Sequence, residues 1–116
     1  MEDRLVTEAP DPDVIRLADA ITHQPGGIVS RVLLKQAQGS VTLFGFDGGQ
    51  ELSEHTAPFE ALVQMLDGVA IVTIAGASHR VAAGDLIRLP AGVPHGVRAE
   101  TRMTMMLVMI RGASPA

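Results

Sequence analysis

The sequence lacks most of the side chains that carry nucleophilic and stacking chemistry. It contains no Cys, no Trp and no Tyr, and only three Phe. The absence of Cys excludes a disulfide framework and any thiolate that could act as a nucleophile or a metal ligand. The absence of Trp and Tyr, with so few Phe, leaves little surface on which nucleic-acid bases or sugar rings could stack.

Positive charge is also scarce, and long apolar runs are missing. The nine Lys and Arg residues are scattered and the formal net charge is −4, so no basic surface for nucleic acid or anionic lipid is predicted. No apolar run approaches the roughly 18 residues that a membrane-spanning helix needs. Residues 1–13 are acidic and contain proline, unlike a signal peptide. We therefore expect a cytoplasmic protein without a nucleic-acid or membrane partner.

What is present suffices for one folded domain. The chain has 116 residues, of which 47% are hydrophobic, and a chain of this size buries roughly two thirds of its unfolded surface. We expect residues 1–13 to form an arm that is flexible or packs on a partner, and residues 14–116 to form the domain.

Short segments rich in apolar and β-branched residues alternate with turns, which is typical of a β-sandwich or barrel. Residues 15–21 are compatible with a single helical turn or a short strand, and no helix of ordinary length is predicted. Asp67-Gly68 is a pair that tight hairpins prefer. We predict about eight to ten strands, including residues 28–34, 41–46, 61–66, 69–74, 79–81, 86–89, 95–98 and 103–110.

Residues 49–68 and 84–99 carry glycine, proline and histidine at fixed spacing. In the first segment Gly49 is followed after five residues by His55, and Gly68 closes the segment. The second segment has the frame Gly84, Pro90, Gly92 and His95. Both segments resemble the two halves of the cupin signature, and the chain is similar to small single-domain bacterial cupins of the RmlC-like, cupin 2 type. The resemblance implies an all-β fold, namely a single cupin-type double-stranded β-helix or jelly-roll barrel.

The chain departs from the family at the metal ligands. The resemblance implies three His and one Glu, but Ala57 stands at the second His position and Ala61 at the Glu position, while Ala99 replaces an Asn. Only His55 and His95 remain as ligands. Because side chains alternate along a strand, we predict a pocket in which these two imidazoles lie among apolar side chains. The predicted pocket residues are His55, Ala57, Ala61, Val63, Met65, His95, Val97 and Ala99.

Two neutral His supply fewer ligands and less charge than a divalent ion usually has. We therefore expect at most one weakly bound divalent ion (Zn, Ni, Mn or Fe) at His55 and His95. The alternative is a structural His pair whose rings hydrogen-bond to each other, to water or to a backbone carbonyl. Glu60 or Gln64 could replace a lost ligand if Pro58 causes a bulge. His23 and His79 are predicted to be solvated surface residues.

The methionines of the last predicted strand admit three roles. Met103, Met105, Met106 and Met109 are interpreted first as core filler or dimer contact, and second as pocket lining. If they line the pocket, their thioethers would favour a softer ion such as Cu(I).

Three classes of function are compared. The first, which we favour, is a stand-alone cupin that binds a small, largely apolar molecule in the barrel and forms a homodimer. The second is a metal-dependent cupin enzyme of the dioxygenase, isomerase or decarboxylase type, so enzymatic activity is left open. The third, a metal-free sugar-nucleotide epimerase, uses a Tyr acid, and this chain contains no Tyr.

Overall fold

Two antiparallel β-sheets stacked face to face make up the fold. The computed structural model describes residues 14–111, so the predicted arm at residues 1–13 lies outside the described residues. A single 3-10 turn at Leu17–Asp19 precedes nine strands in the described range. The strands are β1 (Ile28–Gln36), β2 (Gly39–Phe46), β3 (Glu51–His55), β4 (Glu60–Asp67), β5 (Val69–Ile74), β6 (Ala77–Ala82), β7 (Leu86–Leu89), β8 (His95–Ala99) and β9 (Met103–Ile110).

The strand order shows a jelly-roll arrangement. One sheet has the order β1-β2-β9-β4-β7 and the other has the order β3-β8-β5-β6. Each of these pairings is antiparallel. The chain therefore passes from one sheet to the other at every connection except β1–β2 and β5–β6. The prediction of an all-β jelly-roll barrel is confirmed, and among residues 14–111 no helix is long and apolar enough to span a membrane.

Alternating apolar side chains from both sheets fill the interior. On β9, Met103 and Met105 are buried, and on β4 the buried pair is Val63 and Met65. Phe46 from β2 is fully buried in the same cluster, which Ala70, Val72, Val81, Leu89, Val97 and Ala99 complete. Burial of each larger side chain stabilises the fold by roughly 1.5–3 kcal/mol. Because every second side chain of a strand points inward, the inward side chains of both sheets together form one shared core.

The turn at Asp67-Gly68 differs from the sequence prediction. β4 pairs with β9 and β7, whereas β5 pairs with β6 and β8, so this dipeptide connects two sheets and does not close a hairpin. Gly68 has φ +79°, a conformation that residues with a Cβ rarely adopt. A Cβ there would also collide with the backbone of Arg102 and Met103. Glycine is required at position 68 because the chain passes tightly from one sheet to the other there.

β3 was not among the predicted strands. Its sequence is ELSEH, and four of its five residues are exposed. Such a polar segment has little β-propensity of its own. It is extended because it pairs with β8, through Glu51 with Arg98 and Leu52 with Val97.

Candidate functional site

Two histidines face each other where β3 pairs with β8. His55 ends β3, His95 begins β8, and the two are register partners. Their ring centroids are 4.5 Å apart and the ring planes meet at 64°, an edge-to-face arrangement. His95 is 7% exposed, whereas His55 is exposed. The pair therefore lies at the boundary between the barrel interior and solvent.

A backbone hydrogen bond orients each imidazole ring. Nδ1 of His55 donates to the carbonyl oxygen of Ser53 at 2.9 Å, and Nδ1 of His95 donates to that of Val93 at 3.2 Å. Because a carbonyl oxygen can only accept, Nδ1 carries the ring hydrogen in both residues. In the neutral ring Nε2 then keeps a lone pair that can bind a metal ion or accept a hydrogen bond.

A cavity of about 100 Å³ lies next to the His pair. Both sheets contribute to its wall, and among the described residues that line it the two His are the only polar side chains. The lining consists of Leu52, His55, Ala57, Phe59, Ala61, Val63, Leu89, His95, Val97, Met105, Leu107 and Met109. An apolar cavity of about 150 Å³ can hold benzene. This cavity is suited to a somewhat smaller apolar group.

The segments at residues 56–59 and 90–94 connect strands near the His pair and are tied to each other. The backbone N–H of Gly92 donates to the carbonyl oxygen of Ala57 at 2.8 Å. Phe59 lines the cavity, and the guanidinium carbon of Arg111 lies 4.9 Å from the centroid of the Phe59 ring. At this distance a cation–π contact holds the guanidinium over the ring. A permanent positive charge therefore stands beside an aromatic residue of the cavity wall.

Six of the eight predicted pocket residues line the cavity: His55, Ala57, Ala61, Val63, His95 and Val97. The prediction applied side-chain alternation across residues 55–65, but β3 ends at His55 and β4 begins at Glu60 in the other sheet. Side-chain alternation therefore does not run through residues 56–59. Ala57 and Ala61 still reach the cavity because the chain crosses between the sheets beside it.

The other two predicted pocket residues, Met65 and Ala99, lie in the core and not in the cavity wall. Met65 is 1% exposed and Ala99 is fully buried. Met65 is paired with Met105, and Ala99 with Ala70. They are on the expected inner face, but further along their strands, where side chains from the two sheets fill the interior.

Several wall residues were not predicted as pocket residues. On β9 the alternating set Met105, Leu107 and Met109 lines the cavity, and the apolar alternation of that strand was a usable signal. Met105 and Met109 thus occupy the position that the sequence allowed only as a second interpretation. Leu52 and Phe59 had no comparable signal, because they lie in or next to the polar segment that forms β3.

The proposed substitute ligands point away from the cavity. Glu60 is exposed and accepts hydrogen bonds from Nη1 of Arg88 at 3.2 Å and from the backbone N–H of Ala91 at 3.0 Å. Gln64 is also exposed, and neither residue lines the cavity. The sequence-based alternative in which one of them replaces a lost ligand is not supported by the arrangement of these side chains.

The prediction for His23 was wrong, whereas His79 is exposed as expected. His23 is half-buried, and its Nε2 lies 3.0 Å from the carbonyl oxygen of Met103 and 3.3 Å from Oγ1 of Thr104. It holds the segment around His23 against the start of β9. This contact joins residues 80 positions apart, so local sequence could not reveal it.

A small antiparallel barrel with an apolar cavity and a His pair at its edge is the class of protein that the fold and the site define. Residues 42–111 match the family model described as Cupin domain. The chain belongs to this family.

Solved structures agree with this assignment. A conserved protein of unknown function from Streptococcus pyogenes is 31% identical, with a TM-score of 0.84 and coverage of 93% of this chain and 95% of that chain. A cupin 2 conserved barrel domain protein from Leptotrichia buccalis is 36% identical, with a TM-score of 0.79, over 83% of this chain and 47% of that chain. A cupin superfamily protein from Desulfitobacterium hafniense shares the fold at 22% identity, with a TM-score of 0.81 and coverage of 90% and 95%. None of the curated proteins is similar enough to count as a match.

The residues present do not fit the metal set implied by the cupin signature. Ala57 and Ala61 line the cavity where that set has a His and a Glu. Among residues 14–111, no group of three or more His, Cys, Asp or Glu side chains could hold a metal ion. A divalent ion at His55 and His95 would therefore take most of its ligands from water or from a bound molecule.

Proposed function

We propose that this protein binds a small, largely apolar molecule that carries one carboxylate or carbonyl group. The apolar part occupies the barrel cavity and the polar group lies at the His pair. One observation carries the proposal: among the described wall residues, His55 and His95 are the only polar side chains of an otherwise apolar cavity. Concave apolar cavities with a few polar groups are the usual form of small-molecule sites.

The surroundings of the cavity favour a carboxylate as the polar group. The guanidinium group of Arg111 lies over the ring of Phe59, and Phe59 is part of the cavity wall. A guanidinium is always charged and matches the geometry of a carboxylate. In an imidazolium ring both nitrogens are donors, so Nε2 of either His in that form can donate to the same group. We therefore propose a carboxylate as the polar group of the ligand.

The volume of the cavity limits the ligand. A cavity of about 100 Å³ holds an apolar body of about four non-hydrogen atoms. Since ligands of that size gain at most about 1.5 kcal/mol per atom, we expect affinities in the millimolar to micromolar range. Branched short-chain carboxylates such as isovalerate have the required size and polarity.

A larger cleft of about 540 Å³ is a poorer candidate. It lies between residues 17–23 and the end of β4, and its wall includes His23 and Asp67. The Nε2 atom of His23 is within hydrogen-bond distance of Met103 and Thr104, so it is already engaged with the protein. The barrel cavity instead has two Nε2 atoms for which the structure gives no partner among the described residues.

Catalysis by a bound divalent metal is the alternative function. It requires a held ion with open coordination positions, and the two His supply only part of such a set. We therefore propose that the cavity binds a small molecule. The effect of a weakly bound divalent ion is tested separately, by adding metal in the same experiment.

A thermal-shift assay tests the proposal. Isovalerate at about ten times its Kd should stabilise the protein by roughly 1.4 kcal/mol, which is a rise in Tm of several degrees. Isovaleramide, which lacks the charge, should give a smaller rise, and glucose should give none. The same series is repeated after chelation and with added Zn, Ni and Mn.

Two variants provide the control. His55→Ala with His95→Ala should abolish the rise, and His79→Ala, an exposed His on β6, should leave it unchanged. Stabilisation by sugars alone, or a rise that survives loss of both His, would contradict the proposal.

A further inference from the structure

The segment before β1 packs on the outer face of the five-stranded sheet, the face that points away from the core. Met103 and Met105 face the core, so Thr104 between them faces outward. Nε2 of His23 lies 3.3 Å from Oγ1 of Thr104. Gly45, the register partner of Thr104 on β2, makes room for the ring, because a Cβ there would lie 3.0 Å from the same Nε2 atom. The imidazole therefore packs directly on the strands.

Two further hydrogen bonds hold this segment in place. The backbone N–H of Gly26 donates to the carboxylate of Asp47 at 2.6 Å, and Nη1 of Arg31 donates to the carbonyl oxygen of Ala20 at 3.1 Å. The 3-10 turn at Leu17–Asp19 is thus fixed beside the sheet. A binding site whose wall is already in place loses little conformational entropy when a ligand binds.

A cleft of about 540 Å³ lies between this segment and the sheet. Leu17 and Ile21 line it from the segment, and Leu66 lines it from β4. Small-molecule sites commonly have volumes of about 300–1,000 Å³. The cleft is therefore large enough for a ligand whose apolar part would not fit the barrel cavity of about 100 Å³.

Two opposite charges also line the cleft, on Asp67 and Arg102. Asp67 is the last residue of β4, and Arg102 immediately precedes β9. The two meet because Gly68, next to Asp67, lies against the backbone of Arg102. Both side chains are exposed, and the ion pairs within residues 14–111 involve other residues. Neither charge is therefore paired with the other.

This pair of charges beside an apolar wall favours a ligand that carries both charges itself. A carboxylate accepts hydrogen bonds from an ammonium group, and a guanidinium donates to a carboxylate. An α-amino acid has both groups on one carbon, and its side chain extends away from them. An amine or a carboxylic acid with the same side chain would gain one of these contacts and would meet a like charge at the other.

We propose that this cleft binds an α-amino acid with a large apolar side chain. Its ammonium group contacts Asp67, its carboxylate contacts Arg102, and its side chain packs against Leu17, Ile21 and Leu66. The site lies on the outer face of the five-stranded sheet, whereas the barrel cavity lies on the inner face. The two sites therefore bind different ligands independently.

An NMR titration with L-phenylalanine tests the proposal, because its side chain is too large for the barrel cavity. Phenethylamine, which lacks the carboxylate, and 3-phenylpropionate, which lacks the ammonium group, should each bind at least about fivefold more weakly. Asp67→Asn and Arg102→Gln should each weaken L-phenylalanine binding by a similar factor. Glu54→Gln and Arg98→Gln, which change exposed charges on the other sheet, are the controls and should leave the Kd unchanged.

A second measurement needs only the wild-type protein. L-phenylalanine should shift the methyl resonances of Ile21 and Leu66 and leave those of Val97 and Leu107, in the barrel cavity, in place. Absence of binding, shifts confined to Val97 and Leu107, equal affinity for either analogue, or full affinity in Asp67→Asn or Arg102→Gln would each overturn the proposal. Isovalerate should give the reverse pattern of shifts, so this inference and the proposed function can each fail alone.

Discussion

Ala57 and Ala61 occupy the cavity wall beside the His pair, and their small side chains explain why the site lacks a divalent metal set. Ala57→His together with Ala61→Glu restores the two missing ligand types. We expect the double variant to bind Zn or Ni at least about a hundredfold more tightly than the wild type, because ligand number rises from two to four and a negative charge is added. Titration calorimetry measures the change.

A matched variant separates this effect from nonspecific binding. Ala37→His with Ala83→Glu adds the same groups at exposed positions outside the cavity wall, and its affinity should stay at the wild-type level. An unchanged affinity in the Ala57/Ala61 variant would show that these positions do not converge on His55 and His95.

Asp47 links the two ends of the β1–β2 hairpin. Its carboxylate accepts from the backbone N–H of Gly26 at 2.6 Å and from that of Gly48 at 2.9 Å. These two bonds, in that order, are the main reasons that the pKa of Asp47 is lowered from its usual 3.8, with Arg102 and His23 assisting. A group with a depressed folded pKa contributes stability that is present above its unfolded pKa and lost as the pH falls through the folded value.

The pH dependence of stability tests this role. We expect Asp47→Asn to lower Tm at neutral pH and to reduce the decline in Tm below about pH 4. Asp19→Asn, which changes an exposed carboxylate in the 3-10 turn, serves as the control. It should leave the decline in Tm at low pH unchanged. If the wild type and Asp47→Asn have parallel profiles from neutral pH to pH 2, Asp47 is not the linked group.

Individual strands differ in how well the sequence predicted them. β5, β7 and β9 have the predicted bounds, because in each of them apolar residues extend from one turn to the next. β3 was not predicted, since its polar residues form a strand only through pairing with β8. The His pair followed from the motif spacing, whereas Leu52 and Phe59 could be placed at the cavity only from the tertiary structure.

The crossing from β4 to β5 depends on Gly68. We expect Gly68→Ala to destabilise the protein by about 2 kcal/mol or more, because a positive φ is combined with contact against the backbone of Arg102 and Met103. Gly76→Ala is the matched control: Gly76 has φ +83°, but a Cβ added there would meet no atom within 4 Å, so this variant should lose only about 1 kcal/mol. Urea denaturation gives both values, and equal losses would show that the contact is unimportant.

At the scale of the whole molecule, the two parts of the cupin signature have different roles. Its glycines specify the fold, whereas its metal-ligand positions specify the chemistry. All four signature glycines have positive φ: Gly49, Gly68, Gly84 and Gly92. They set turns that the backbone needs whether or not a metal is bound. The fold could therefore be predicted from this frame, while the loss of ligands at Ala57 and Ala61 left the function open.

Apolar residues remain exposed on the outer face of the five-stranded sheet. The outer patch is defined by Leu34, Val41, Leu62, Val108 and Ile110, which line two adjoining shallow clefts. Leu34 is 56% exposed and Ile110 is 54% exposed. β1 is also an edge strand of this sheet, and edge strands with nearby apolar surface favour pairing with another chain.

We propose that a second copy of the chain covers the outer patch in a two-fold homodimer, the commonest form of assembly. Light scattering at micromolar concentration should give the mass of a dimer, and Leu34→Glu with Ile110→Glu should give a monomer, because two charges would be buried on each side. Val32→Glu is the control: a bulge between Val32 and Leu34 directs Val32, which is 57% exposed, to the opposite face of β1. A monomeric wild type, or a dimer that survives Leu34→Glu with Ile110→Glu, would contradict this assembly.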